Sequence, residues 1–370
     1  MISQTSETKA PQAPSASEEI LPCAEIHVLQ CGQGDTILLS LGGKKWVLVD
    51  CNLPHGDLRA QFYHFVERLH IQRLDLVCLT HPHDDHYTGL VDIVRYFTSG
   101  GRSIGTFCDS GVEPKQVATL MRRRRLPKSA VMEFERLYHC LYELIDAKQV
   151  RYFIASENSS PVIEVGDHIQ IIPVGPRPDA LSRAVRDVAS TGKIRKDLNR
   201  ISVVLALSIR AKAKSFDALL AADTDSEGCN SALRRYAAIK ARGGEGCSFD
   251  MVKVPHHGSA HSHCGSEICK YRKEADVALA TISAGAFDVL PDREVMRDFL
   301  QRGWTVLLTT KRVALGKQFA VELSGRSQRS IGVQSQNIRI TWQEVHGTRW
   351  EPAEARVDVS ELSNYMSLYK

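Results

Sequence analysis

The chain predicts an α/β fold of the α+β type, a four-layer αββα sandwich with helices outside two facing sheets and a helical insertion on one side. Three observations carry this expectation. Apolar strand-like runs separated by turn residues open the chain, a strand–helix alternation follows, and the same β-rich then helical order returns after residue 150. At 370 residues, with 43% hydrophobic and 24% charged, the chain has the size and composition of an ordinary globular protein with a substantial core.

Residues 1–20 are polar and too poor in apolar side chains to offset the entropy of ordering, so they are expected to form a disordered tail. They carry no basic-then-apolar leader, which points to the cytoplasm. The runs 26–31, 35–40 and 46–51 are β-rich and separated by Gly32, Gly34, Gly42 and Gly43, the pattern of an antiparallel meander. Phe62, Phe65, Val66 and Leu69 then share one face of a helix. Residues 74–79 read as a buried strand and 90–97 as a helix.

Residues 112–148 form the insertion: Phe134, Leu137, Leu141 and Leu144 recur at helical spacing, and Pro127 separates them from an arginine-rich helix. Strands are expected at 150–154, 162–165 and 168–173, and a charged loop or short helix at 175–198. The second half supplies strands at 201–209, 216–221 and 251–254, with a helix at 226–241. Strands at 277–282 and 305–308 then flank a helix at 291–300, and one more strand follows at 338–342. The domain is expected to run from 21 to 345, with a C-terminal extension at 346–370.

Net charge is +4, from 47 basic and 43 acidic residues, which does not by itself announce a nucleic-acid binder. The charge is uneven, however: Arg122, Arg123, Arg124 and Arg125 form a run, and Lys193, Arg195, Lys196 and Arg200 a looser cluster. Either is a solvated surface or a grip for phosphates. No apolar run approaches the roughly 18 residues of a membrane helix. The ten cysteines include no CxxC pair, so reduced thiols are expected rather than a zinc ribbon or a disulfide scaffold.

The chemistry concentrates in Leu79-Thr80-His81-Pro82-His83-Asp84-Asp85-His86. Three imidazoles and two carboxylates fall within six residues directly after an apolar strand. Imidazole nitrogen and carboxylate oxygen are the donors that suit zinc, manganese and iron. His81 and His83 alternate along an extended loop and converge on one ion, while Asp85 and His86 open the next helix and reach a second. So many polar groups cannot be buried without partners.

This segment resembles the HxHxDH signature of the metallo-β-lactamase superfamily. Further marks follow in the family's order: Asp50 at a strand end, Asp223 closing the run Leu219-Leu220-Ala221-Ala222, and His256 in Pro255-His256-His257-Gly258-Ser259. Cys31-Gly32-Gln33-Gly34-Asp35, the PHHGS segment and Asn199-Arg200-Ile201-Ser202-Val203 resemble the ComEC-like branch, which includes the soluble nuclease module of DNA-uptake channels. The resemblance spans about residues 24–310 and implies a metal-dependent hydrolase. It implies two divalent ions, zinc or manganese, with a single ion left open.

His81 and His83 would bind one ion, and Asp85, His86 and His256 the other, with Asp223 bridging. Asp50 and Asn199 would support the ligands from behind, and Asp85 would take part directly in catalysis. His257 would protonate the leaving group, and Ser259 and the arginines 122–125 would contact substrate phosphates. The chain departs from the family where many members carry a further histidine before the bridging aspartate: Asn199 stands there, and His168 in the same interval reads as structural. Phe287 stands where ComEC-like chains often have a histidine.

Three functions stay open at this point: a phosphodiesterase or nuclease acting on DNA, a small-molecule ester, lactone or thioester hydrolase, and a non-catalytic binding module with a degenerate site. The insertion is either a specificity lid or a cover for the sheet. A regulatory protein partner is plausible for a nuclease, though no residue here points to one.

Overall fold

The structure is a computed structural model that describes residues 23–29, 31, 34–42, 45–123, 125–191, 198–210, 215–272, 279–282 and 290–309, and strands at 332–333, 338–343 and 347–352. The tail expected at 1–20 lies outside these residues, as do Gly32, Gln33, Arg124, Lys193, Arg195, Lys196, Phe287 and 353–370.

Two eight-stranded sheets form the middle of the molecule. In the first, β1 (Cys23–Val28), β2 (Ile37–Leu41) and β3 (Lys45–Val49) pair antiparallel, as the glycine-punctuated meander predicts. From β3 the sheet turns parallel through β4 (Arg73–Cys78), β5 (Ser103–Asp109) and β6 (Arg151–Ile154). The second sheet repeats the plan. Its strands β7 (Ile163–Val165), β8 (Ile169–Gly175), β9 (Val204–Ile209) and β10 (Phe216–Leu220) are antiparallel. Then β11 (Met251–Lys253), β12 (Leu279–Ile282), β13 (Thr305–Leu308) and β14 (Gly332–Val333) are parallel. The hairpin of β15 (Ile338–Gln343) and β16 (Gly347–Pro352) adds to the first sheet beside β1, so residues read as a C-terminal extension pair within the domain's own sheet.

The central strands are apolar on both faces because both faces are covered. In β3 and β4, Val47, Val49, Leu76 and Cys78 enter the core between the sheets, where they meet Leu205, Leu207, Phe216, Ala218 and Met251. Their alternate neighbours Leu48 and Val77 join the core beneath the outer helices. The outer layer on this side is built from α1 (Asp57–Arg68), α3 (Leu90–Phe97), α4 (Pro114–Arg123) and α5 (Lys128–Asp146), with the one-turn helix α2 (Asp84–Tyr87) between α1 and α3. On the other side a third core packs the helices Ser226–Arg242 and Arg293–Gln301 against the second sheet. Residues 178–191, left as a loop or short helix by their charge, form a helix.

The helical insertion is a structural layer. Val131, Phe134, Leu137, Tyr138 and Leu141 of α5 are all buried, and the Phe134 ring packs tilted against Tyr87, directly after the HPHDDH segment, at 5.3 Å between ring centroids. The Tyr87 hydroxyl donates to Ala130 O at 3.2 Å, which ties the start of α5 to α2. Cysteine usage differs from expectation at one place: Cys229 and Cys264, 35 residues apart, form a disulfide. Tertiary proximity of the helix after Asp223 and the loop after His257 creates this pair, and no spacing motif announces it.

Phe134→Ala is expected to destabilise the protein by about 3–5 kcal/mol, the usual result of emptying a buried aromatic site. Denaturant unfolding measures this, and a loss below about 1 kcal/mol would show that α5 is a detachable lid and not core.

Candidate metal centre

The functional loops leave the same end of both sheets. Asp50 follows β3, the HPHDDH segment follows β4, Asp223 follows β10 and the two adjacent histidines follow β11. Ligands in open parallel sheets gather outside the carboxyl ends of the strands, and here two such ends face one another. The backbone is bent sharply at three of these four approaches. Asp50 (φ 58), Ala222 (φ 49), His256 (φ 47) and His257 (φ 52) all sit in the left-handed region. Each such residue costs of order 1–3 kcal/mol and persists only where its surroundings hold it. The holding bonds are present: Asp50 N–H donates to Cys78 O at 2.8 Å, and His256 N–H to Ala222 O at 2.9 Å.

Gly34 and Asp35 of the CGQGD element form the floor under the HPHDDH loop. Asp35 N–H donates to Asp85 O at 3.3 Å. Gly34 has φ 129, and a Cβ there would lie 2.2 Å from Asp85 O, so only glycine fits.

Two groups of donors result, each with its ligand atoms within 4.8 Å of one another: Asp85, His86, Asp223 and His257, and His81, His83 and Asp223. Asp223 belongs to both. Its Oδ2 lies 3.4 Å from His86 Nε2, 3.5 Å from His257 Nε2 and 3.9 Å from His81 Nε2. Asp85 Oδ2 is 3.5 Å from His257 Nε2 and 3.9 Å from His86 Nε2. In a third group, Asp35, Asp50 and His86, Lys253 pairs with Asp35 and His86 with Asp50.

Asp50 lies behind the donor groups. It is buried and accepts from Thr80 N–H and Thr80 Oγ1–H, both at 2.7 Å, and from His86 Nδ1–H at 2.7 Å. That bond fixes the ring and turns His86 Nε2 towards Asp223 Oδ2, 3.4 Å away. His83 Nε2 and His86 Nε2 are buried with no hydrogen-bond partner of normal geometry among the described residues. Bare buried ring nitrogens beside carboxylates are the arrangement that a divalent cation satisfies. The donor set of imidazoles and carboxylates fits zinc or manganese.

The electrostatics agree. Burial opposes charge on His257, yet the carboxylates of Asp223 and Asp85 raise its pKa to about 9. Burial also opposes charge on His86, but Asp223, Asp50 and Asp85 hold its pKa well above the usual value. In the other group, burial takes His83 down to about 4, and burial with His86 and His83 nearby keeps His81 well below the ordinary histidine value.

The two adjacent histidines are placed differently from the sequence expectation. His257, expected to protonate the leaving group, is fully buried and belongs to the ligand group. His256, expected to be the ligand, has a side chain 28% exposed, with Nε2 3.7 Å from Asp223 Oδ2. Two consecutive left-handed residues turn the chain so that the second ring, not the first, points inward. Ser262 Oγ lies 3.1 Å from His256 Nδ1 and Asn199 Nδ2 3.3 Å from it, so the partner of Asn199 is His256.

Other expected residues lie away from these donor groups. Arg122, in the last turn of α4, is exposed and paired with Glu135 of α5. Arg123 and Arg125 are exposed, and Arg200 pairs with Asp225 at 3.2 Å. Ser259 is buried, with its N–H closing the turn onto His256 O at 2.8 Å. His168 is exposed at the start of β8, outside the centre. Sequence reasoning missed Thr80, Asp35 as a buried charge, and Lys253. A lysine inside the apolar run 251–254 was the available signal.

Residues 29–102 match the sequence profile of the family described as Metallo-beta-lactamase superfamily. The match takes in Asp35, Asp50 and the whole HPHDDH segment, and the two-sheet architecture is that of the metallo-β-lactamase fold. A comparison with curated proteins finds no match. Solved structures that align with this chain include the metallo-beta-lactamase fold protein YhfI from Bacillus subtilis, at 12% identity and TM-score 0.41, covering 77% of this chain and 96% of that one. A diphosphatase from the PhnP family aligns at 15% identity and TM-score 0.38, covering 74% and 91%. MEM-A1, a subclass B3 metallo-beta-lactamase from a soil metagenome library, aligns at 13% and 0.34, covering 66% and 79%.

The inward placement of His257 predicts that dialysed His257→Ala protein loses bound zinc while His256→Ala retains it; metal analysis giving the reverse pattern would make His256 the ligand. A second expectation concerns protons. His257 is protonated up to about pH 9 in the ion-free protein and must lose that proton to bind an ion. Zinc affinity should therefore rise from pH 6 to 9, by about tenfold per pH unit for each proton displaced. Calorimetry showing a flat profile over that range would contradict the arrangement.

Proposed function

We propose that this protein is a metal-dependent hydrolase that cleaves phosphodiester bonds of DNA. The observation that carries the reading is the shared Asp223 carboxylate, flanked by two ligand groups with buried imidazole nitrogens directed at it. His81, His83 and Asp223 would hold one ion, and Asp85, His86, Asp223 and His257 the other. When bound, such ions supply a hydroxide nucleophile at neutral pH and a Lewis acid for the oxygen that gains charge.

The chain's own residues do the positioning. Asp50 fixes the His86 ring and is itself fixed by Thr80. His256 stands between the ligand groups and solvent, its Nδ1 side held by Ser262 and Asn199, so its Nε2 is the nitrogen available to contact the scissile group. Asp85, with a side chain 24% exposed, opens the same side of the centre to substrate. Support for DNA as substrate comes from the CGQGD, PHHGS and Asn199–Val203 segments, which resemble those of a DNA-uptake nuclease module.

One observation favours a second reading. Arg122 and Arg200, the cations expected to grip backbone phosphates, are each engaged by an acidic neighbour, Glu135 and Asp225. A small phosphoester or carboxylic ester needs no such track.

Plasmid or single-stranded DNA should be cut in the presence of manganese or zinc, with binding that weakens steeply as salt rises. Asp85→Ala should abolish cleavage. Wild-type protein that leaves DNA intact while hydrolysing a chromogenic ester or lactone would replace the first reading with the second.

A further inference from the structure

Lys253 closes β11 at 0% exposure, where an ammonium group survives only with compensating partners. It has three. Asp35 forms an ion pair with it, Ala222 O accepts from Nζ at 3.1 Å, and Asp223 Oδ1 lies 3.7 Å away. The opposite oxygen of Asp223 has different company. His86, His257, His256 and His81 all approach Oδ2, at 3.4, 3.5, 3.7 and 3.9 Å. One carboxylate thus faces a cation with one oxygen and four imidazoles with the other.

We infer that Lys253 is a positioning residue for the candidate metal centre, holding Asp223 by Oδ1 so that Oδ2 alone faces both ligand groups. This rests on reading the centre as a metal site and is independent of the substrate. The terminal torsion of an aspartate is soft and nearly two-fold, so nothing in the side chain itself distinguishes its oxygens. An external partner must do so. The sheet register delivers that partner: Lys253 lies opposite Leu220, three residues before Asp223. Asp35 holds the ammonium from the first sheet, because its own backbone is tied to Asp85. The ion pair therefore joins a loop of each sheet across the centre.

A competing role for the lysine makes the opposite prediction. If Lys253 were only a nearby positive charge, it would repel divalent ions, and its removal would tighten metal binding. A positioning role weakens binding on removal, by about 10–100-fold for groups that orient ligands. The test uses the full chain, with calorimetric zinc titration and the visible absorption of cobalt-loaded protein. Lys253→Met should bind zinc 10–100-fold more weakly and show altered cobalt bands, with partial recovery in Lys253→Arg.

Should Lys253→Met fail to fold, Lys253→Met/Asp35→Asn removes both buried charges together and carries the same expectation. Zinc affinity equal to or tighter than wild type in the folded variant would overturn the inference while leaving the metal centre standing. Wild-type protein that takes up no zinc would instead overturn the metal-centre reading, and the inference with it.

Discussion

Four carboxylates, Asp35, Asp50, Asp85 and Asp223, are drawn into one largely buried space, and the rest of the centre is organised around compensating them. Left alone, such a concentration of negative charge would not fold. Lys253 compensates Asp35 and one oxygen of Asp223, while His86 and Thr80 compensate Asp50. What is left over, Asp85 with the second oxygen of Asp223, faces ring nitrogens of His81, His86 and His257. The remaining imbalance is one that divalent cations correct.

That requirement explains why the sheets are arranged as they are. Each contributes a parallel half whose strand ends carry functional loops, and the apolar layer between the sheets holds those ends opposite one another. Asp35, Asp50 and the HPHDDH loop come from the first sheet, and Asp223, Lys253 and His257 from the second. The left-handed residues at Asp50, Ala222, His256 and His257 are the local cost of turning the chain inward over so short a distance. The insertion helix α5 contributes from outside, by packing Phe134 on Tyr87 at the end of the ligand-bearing turn.

Comparison of sequence and structure shows where local pattern suffices. The helix at 90–97 and the strand at 305–308 stand where periodicity puts them, because their apolar residues face a core whichever topology surrounds them. Strand limits elsewhere differ by a few residues, as at β9, which begins at Val204 and not at 201. Arg122 and Arg200 illustrate the opposite case. Their charge is plain in the sequence, but whether it is available to a ligand depends on Glu135 and Asp225, which only folding brings alongside.

By itself the sequence determined the donor chemistry, since imidazole and carboxylate groups clustered after an apolar strand have few uses besides holding cations. It also determined the layered architecture, through runs apolar on both faces of a strand or one face of a helix. Tertiary structure decided which of two adjacent histidines turns inward, because that depends on consecutive left-handed dihedrals that no spacing encodes. It decided as well that Lys253 meets Asp35 and Asp223, and that Cys229 meets Cys264. These pairings join residues far apart in the chain, and only the register and packing of the folded sheets bring them within bonding distance.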